Sequence, residues 1–134
     1  MNFNEEYYKR IAEELVNVVP EKWERIYFRA EVGDESVSMY FYYRLIGSSE
    51  YEQGANLKRK YNLDRDVYSK FVSDICSIVQ ELNDDYVKNK QEKWTAMTYF
   101  INSNFNFTVD YEYFDLGSSL KMERREIWKE KYLK

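Results

Sequence analysis

Two stretches of strict alternation limit what this chain can fold into more than anything else in it. Between residues 25 and 32, Ile26, Phe28, Ala30 and Val32 alternate with Arg25, Tyr27, Arg29 and Glu31. Between 36 and 45, Val37, Met39, Phe41, Tyr43 and Leu45 alternate with Ser36, Ser38, Tyr40, Tyr42 and Arg44. A period of two places each set on one side of a pleated strand. Gly33-Asp34-Glu35 between the runs predicts a tight antiparallel turn, Gly33 being free to take a positive φ. Such a hairpin has one apolar face that must be covered, and the rest of the chain has to supply the cover.

Helical periodicity flanks the hairpin. Tyr8, Ile11, Ala12, Leu15, Val16 and Val19 form one stripe that Pro20 ends, while Glu5, Glu6, Glu13 and Glu14 lie mostly off it. After a turn at Gly47-Ser48-Ser49, Tyr51 to Gly54 is expected to add a short third strand. Asp64 or Asn62 caps a long central helix whose stripe is Tyr68, Phe71, Val72, Ile75, Val79, Leu82 and Tyr86. A second hairpin is expected from Thr95–Ile101 and Phe105–Tyr113 around Asn102-Ser103-Asn104. Phe105, Phe107, Val109, Tyr111 and Tyr113 form its apolar face, and Asn106, Thr108, Asp110 and Glu112 the opposite one. Ser118 or Ser119 opens a last helix from Leu120 to about Leu133, carrying Ile127 and Trp128. The predicted fold is α+β: a mainly antiparallel sheet of two hairpins, four to five strands, packed with an N-terminal, a long central and a C-terminal helix. One domain over residues 1–134 is expected, with Trp23, Trp94 and Trp128 in its core.

Composition removes whole classes of chemistry. The chain has no histidine and one cysteine, Cys76. Ser-His-Asp and Cys-His triads therefore lack their base, and a structural zinc site would have to be built from carboxylates. Neither Gly-rich phosphate loop pattern occurs, and Asp64-Arg65-Asp66 and Asp84-Asp85 lack the further ligands and turn glycine of a calcium loop. No catalytic residue, metal or cofactor is expected, and Cys76 reads as an inert core thiol among Phe71, Val72, Ile75 and Val79. The N-terminus lacks a basic region followed by an apolar run, and no membrane-spanning stretch occurs, so the expected location is the cytoplasm, away from membranes.

The net charge is −4, with the negative excess in the middle of the chain. Direct nucleic acid binding, which needs a basic footprint, is not expected. Arg124, Arg125, Lys129 and Lys131 read as a solvated helix face near the negative end of the helix dipole. The remaining candidates are for partner binding. Asp110 and Glu112 project from one strand face about 7 Å apart. They suit either a carboxylate-dependent hydrolase or, with Asp115, an acidic contact patch; Asp84 and Asp85 form a second patch. Tyr40 and Tyr42 are interface anchors if their strand face is open, and core residues if a helix covers it. A non-enzymatic scaffold module is a further alternative.

Several segments, taken in order, resemble one family. Pro20-Glu21-Lys22-Trp23-Glu24-Arg25-Ile26-Tyr27 with Met39-Tyr40-Phe41-Tyr42-Tyr43 is similar to the first hairpin of the YezG-like immunity (antitoxin) family. The resemblance continues through Trp94-Thr95, Phe105 to Tyr113 and Asp115-Leu116. It ends in Arg124-Arg125-Glu126-Ile127-Trp128-Lys129-Glu130-Lys131-Tyr132-Leu133, similar to a C-terminal I-W-K-x-K-Y-L signature. Residues 50–60 depart most from the pattern and lack its proline. The resemblance implies a cytoplasmic inhibitor whose partner is the C-terminal nuclease domain of a cognate secreted toxin, with no catalytic residues of its own.

Overall fold

The computed structural model describes residues 4–134, so the N-terminal segment read as lacking a basic and apolar leader lies partly outside the described residues. Five antiparallel strands are preceded, interrupted and followed by helices. The order is α1 (Glu5–Val18), β1 (Trp23–Val32), β2 (Val37–Leu45), β3 (Glu52–Gln53), α2 (Leu57–Lys60), α3 (Arg65–Lys88), β4 (Ala96–Asn102), β5 (Phe107–Glu112) and α4 (Lys121–Tyr132). The sheet order is β3-β2-β1-β4-β5, so β1 joins the two hairpins edge to edge. This is the α+β architecture expected from the alternation. None of the described helices is long and apolar enough to cross a membrane.

The register separates the two faces of the sheet as the alternation predicts. Ile26, Phe28, Ala30 and Val32 of β1 line up with Phe41 and Tyr43 of β2 and with Met97, Tyr99 and Ile101 of β4 in one core. Onto it α1 brings Ile11 and Leu15, and α3 brings Phe71, Ile75, Ile78, Val79 and Leu82. Asp64 caps α3, its carboxylate accepting from the Asp66 amide at 3.0 Å. Two features of α3 escape its apolar stripe. Ile78 is buried, and the buried Asn83 donates through Nδ2 to the Trp94 carbonyl at 2.8 Å. The short α2 also carried no sequence signal, although its Leu57 is fully buried.

The opposite face of the sheet decides between the two alternatives left open for Tyr40 and Tyr42. It is covered, by α4, and holds a second, aromatic core of Tyr40, Tyr42 and Trp128 with Tyr27, Tyr51 and Tyr132 around it. The Trp128 indole donates to Thr98 Oγ1 at 3.0 Å. Arg124 and Arg125 are therefore not a solvated face. Arg124 grips Glu31 with two bonds, Nε to Oε2 at 3.0 Å and Nη2 to Oε1 at 2.8 Å. Arg125 donates to the Tyr42 hydroxyl and lies 4.4 Å over the Tyr40 ring. Ile127, next to the buried Trp128, is exposed. Leu120 takes the cap position of α4 in place of Ser118 or Ser119.

All three tryptophans are buried, and Cys76 is half-buried near the Val37 carbonyl, where burial pushes its thiol pKa up. The second hairpin turns over residues 103–106. Its β5 strand is shorter than expected, leaving Phe105 in the turn and Tyr113 beyond the strand.

A buried ion network secures α4. Arg29 and Glu31 are 3 % and 4 % exposed. Arg29 Nη2 meets Glu31 Oε2 at 3.2 Å, and Arg29 Nη1 meets Glu112 Oε1 at 2.7 Å. Burial alone would push the Glu31 pKa up, but hydrogen bonds from Arg124 and Arg29 outweigh it and hold the carboxyl below its ordinary value. Ionised Glu31 thus stabilises the fold at neutral pH, and the contribution is lost as pH falls below the usual glutamate range near about 4.3.

Glu31→Gln should cost on the order of 3 kcal/mol at pH 7, because two arginines lose their shared carboxylate. Denaturant titrations followed by tryptophan fluorescence should show a shallower decline of stability with acid in the variant than in the parent. A second prediction concerns Gly54, which precedes α2. A Cβ there would be driven into the Phe41 ring. Gly54→Ala should destabilise by about 1–3 kcal/mol in the same titration.

Candidate partner-binding surface

The acids expected to form a contact patch on β5 and after it are engaged within the molecule. Asp110 accepts from the Tyr132 hydroxyl of α4 at 2.9 Å. Burial, then that bond, pushes the Tyr132 pKa up to about 12, so the phenol remains a donor at neutral pH. Glu112 is ion-paired with Arg29, as described above. Asp115 accepts from the Gly117 amide at 2.9 Å and closes a turn of 3-10 helix over Leu116–Ser118. A cleft of about 300 Å³ between α4 and the sheet is lined by Glu112, Arg29, Arg124, Trp128 and Tyr132, but not by Asp110. The two carboxylates therefore do not face one cavity as a hydrolytic pair would require.

Tyr40 and Tyr42 are 8 % and 7 % exposed. The open strand face that would make them anchors is absent, because α4 lies across it. Tyr40 packs edge-on against Trp128 at 5.1 Å, and Tyr42 lies 5.8 Å from the same indole. The physical reason is compositional: a face bearing Tyr, Arg and Thr looks polar in the sequence, yet offers aromatic area to a helix that brings matching donors.

Asp84 and Asp85 fare differently, for they belong to a much larger negative surface. On α1 and α3 together there are nine acids and five bases, a balance of −4 that equals the net charge of the whole chain. Glu5, Glu6, Glu13, Glu81 and Asp84 are exposed, and Glu14, Asp74 and Asp85 are half-buried. The two helices pack side by side, so these groups form one face. Asp85 accepts from the Tyr7 hydroxyl, and this bond, with burial, pushes the Tyr7 pKa up to about 12.

Burial, and then the neighbouring Asp74 carboxylate, raises the Glu14 pKa. Arg10 to Glu81 at 3.0 Å and Lys70 to Asp74 at 2.5 Å are exposed or partly exposed pairs that offset part of it. Sequence reasoning had placed these glutamates off the apolar stripe without joining them to Asp84 and Asp85. The signal for the face is the charge summed over two helices that are far apart in the chain.

Comparison with known proteins is consistent from end to end of the described chain. The family described as "Immunity protein YezG-like" matches residues 4–134. The Immunity protein YezG of Bacillus spizizenii is 32 % identical over 123 residues, which is 90 % of this chain and 76 % of that protein. The Bacillus subtilis Immunity protein YezG is 29 % identical over 131 residues, 96 % of this chain and 87 % of that one. The Type VII secretion system protein EsaG of Staphylococcus aureus is 26 % identical over 127 residues, 95 % and 76 % of the two chains. The protein belongs to the YezG-like immunity protein family.

Proposed function

We propose that this protein binds and neutralises the C-terminal nuclease domain of a cognate secreted toxin, acting as a stoichiometric inhibitor in the cytoplasm of the cell that makes it. Membership of an immunity protein family supports a toxin partner, and the name of the staphylococcal relative links that relative to a type VII secretion system. Inhibition of this kind requires no chemistry from the chain itself.

The observation that carries the docking mode is the concentration of the entire net charge on the α1–α3 layer. A nuclease domain is basic where it grips phosphate, and an acidic face steers such a partner and fixes its orientation. Asp84 and Asp85 belong to this docking face. Asp110, Glu112 and Asp115 hold α4 and its approach in place instead.

Stopped-flow association with the toxin domain, together with a nuclease assay, tests this directly. The wild-type chain should abolish cleavage at one equivalent. Combined Glu6→Lys, Glu13→Lys and Asp84→Lys reversals should slow association about tenfold or more at about 0.05 M salt, with the difference closing at about 0.5 M. Association indifferent to both the reversals and salt would remove the acidic layer from the mechanism.

A further inference from the structure

Beside the acidic layer runs an apolar trough whose floor is the edge of the core, where Tyr8, Tyr99 and Ile101 lie. It has a volume of about 540 Å³ and lies between α1 and the β4–β5 hairpin. Tyr8, Ala12 and Val16 form one wall, and Ile101, Phe105 and Phe107 the other. Its α1 rim carries Glu5, Lys9 and Glu13. Phe107 is 46 % exposed and Phe105 64 %, so two aromatic rings stand at its mouth. Isolated exposed apolar residues are ordinary, but a contiguous group along a trough marks a binding surface.

Two further observations concern the same wall. Phe105 sits at φ 63°, in the left-handed region that a bulky side chain avoids. Its turn is held by the Asn102 carboxamide oxygen, which accepts from the amides of Asn104 and Asn106 at 3.0 and 3.1 Å. The Phe105 ring is mostly in solvent and meets Trp23 edge-on at 6.3 Å, a modest return for the strain of a left-handed aromatic. In addition, β5 is the outermost strand, and among the described residues it pairs with β4 alone. Its other edge therefore presents backbone N–H and C=O groups without strand partners.

We propose that this trough and the β5 edge together seat an extended segment of the partner protein, with alternating apolar side chains flanked by lysine or arginine. The partner's identity rests on the toxin-binding function above; the chemistry of the seat does not. Main-chain bonds to β5 would give the segment its direction, and every second side chain would enter the trough beside Phe107. The charge argument selects the occupant. The rim sets Glu5 and Glu13 against the single Lys9 and continues into the negatively charged α1–α3 layer, so a basic segment meets it with opposite charge.

The test uses the whole chain and two ten-residue peptides, one alternating Val with Lys and the other Val with Glu. In 15N–1H spectra the lysine peptide should shift amides of β5 and of α1 around Ala12, and it should bind about tenfold or more tightly than the glutamate peptide. Phe105→Asn removes the ring and its edge contact with Trp23 while placing a residue that accepts left-handed φ, so its melting temperature should stay within a few degrees of the parent's. Its affinity for the lysine peptide, and for the toxin domain, should drop about tenfold or more. Phe107→Ser should do the same, and Met122→Ser, on exposed α4, should change neither.

Shifts confined to other surfaces, no preference for the lysine peptide, or full affinity in both phenylalanine variants would overturn the seat. So would a free protein that sediments as a dimer and is dissociated by Phe107→Ser, which would assign the edge to a second copy. Neutralisation that ignores Phe105 and Phe107 discards the seat and leaves the inhibitor function standing. Peptide binding without neutralisation does the reverse.

Discussion

The ionised carboxylate of Glu31 is what ties the last helix to the sheet. It lies under α4 on the second face of the sheet, where desolvation opposes charge, and it is kept charged by Arg29 from its own strand and Arg124 from α4. Arg29 in turn reaches Glu112 on β5, so one connected network spans β1, β5 and the last helix. Around it sit Trp128, Tyr40 and Tyr42, whose apolar area alone would not fix how the helix lies. Glu31 is the shared member, paired with both arginines, so its loss disturbs the network more than loss of Glu112 at the half-exposed end.

With α4 held on one face, the other face is left to α1 and α3, and the molecule becomes electrically lopsided. The sheet separates a helical layer that carries the negative balance from an α4 whose bases are largely turned inward or over tyrosine rings. A partner approaching from solvent meets the negative layer with its field little offset by the rest. The apolar trough and the free β5 edge lie along the margin of this layer, so long-range attraction and short-range fit are offered on adjoining surfaces.

The alternating runs made the sheet legible because a period of two has only one assignment of sides, and that assignment survives errors in strand length. Which side is wet is another matter. Arg29, Glu31, Tyr40 and Tyr42 carry polar groups, and their burial follows only from what α4 brings opposite them: Arg124 for Glu31, Arg125 for Tyr42, Trp128 for the rings. Those pairings are distant in the chain, between residues about 80 to 95 apart, and no local pattern encodes them. Phe105 was placed in β5 because it continued an alternation, whereas Asn102 captured the turn amides and stopped the strand short. The acidic surface was hidden by the same non-locality, since α1 and α3 are separated in sequence by the first hairpin.

Cys76 adds a quieter consequence. Its thiol is half-buried on α3 with its pKa pushed upward, and the chain has no imidazole. Few side chains are thus left to gain or lose a proton near neutrality. The electrical face shown to a partner should therefore stay nearly constant through modest swings of pH around neutrality.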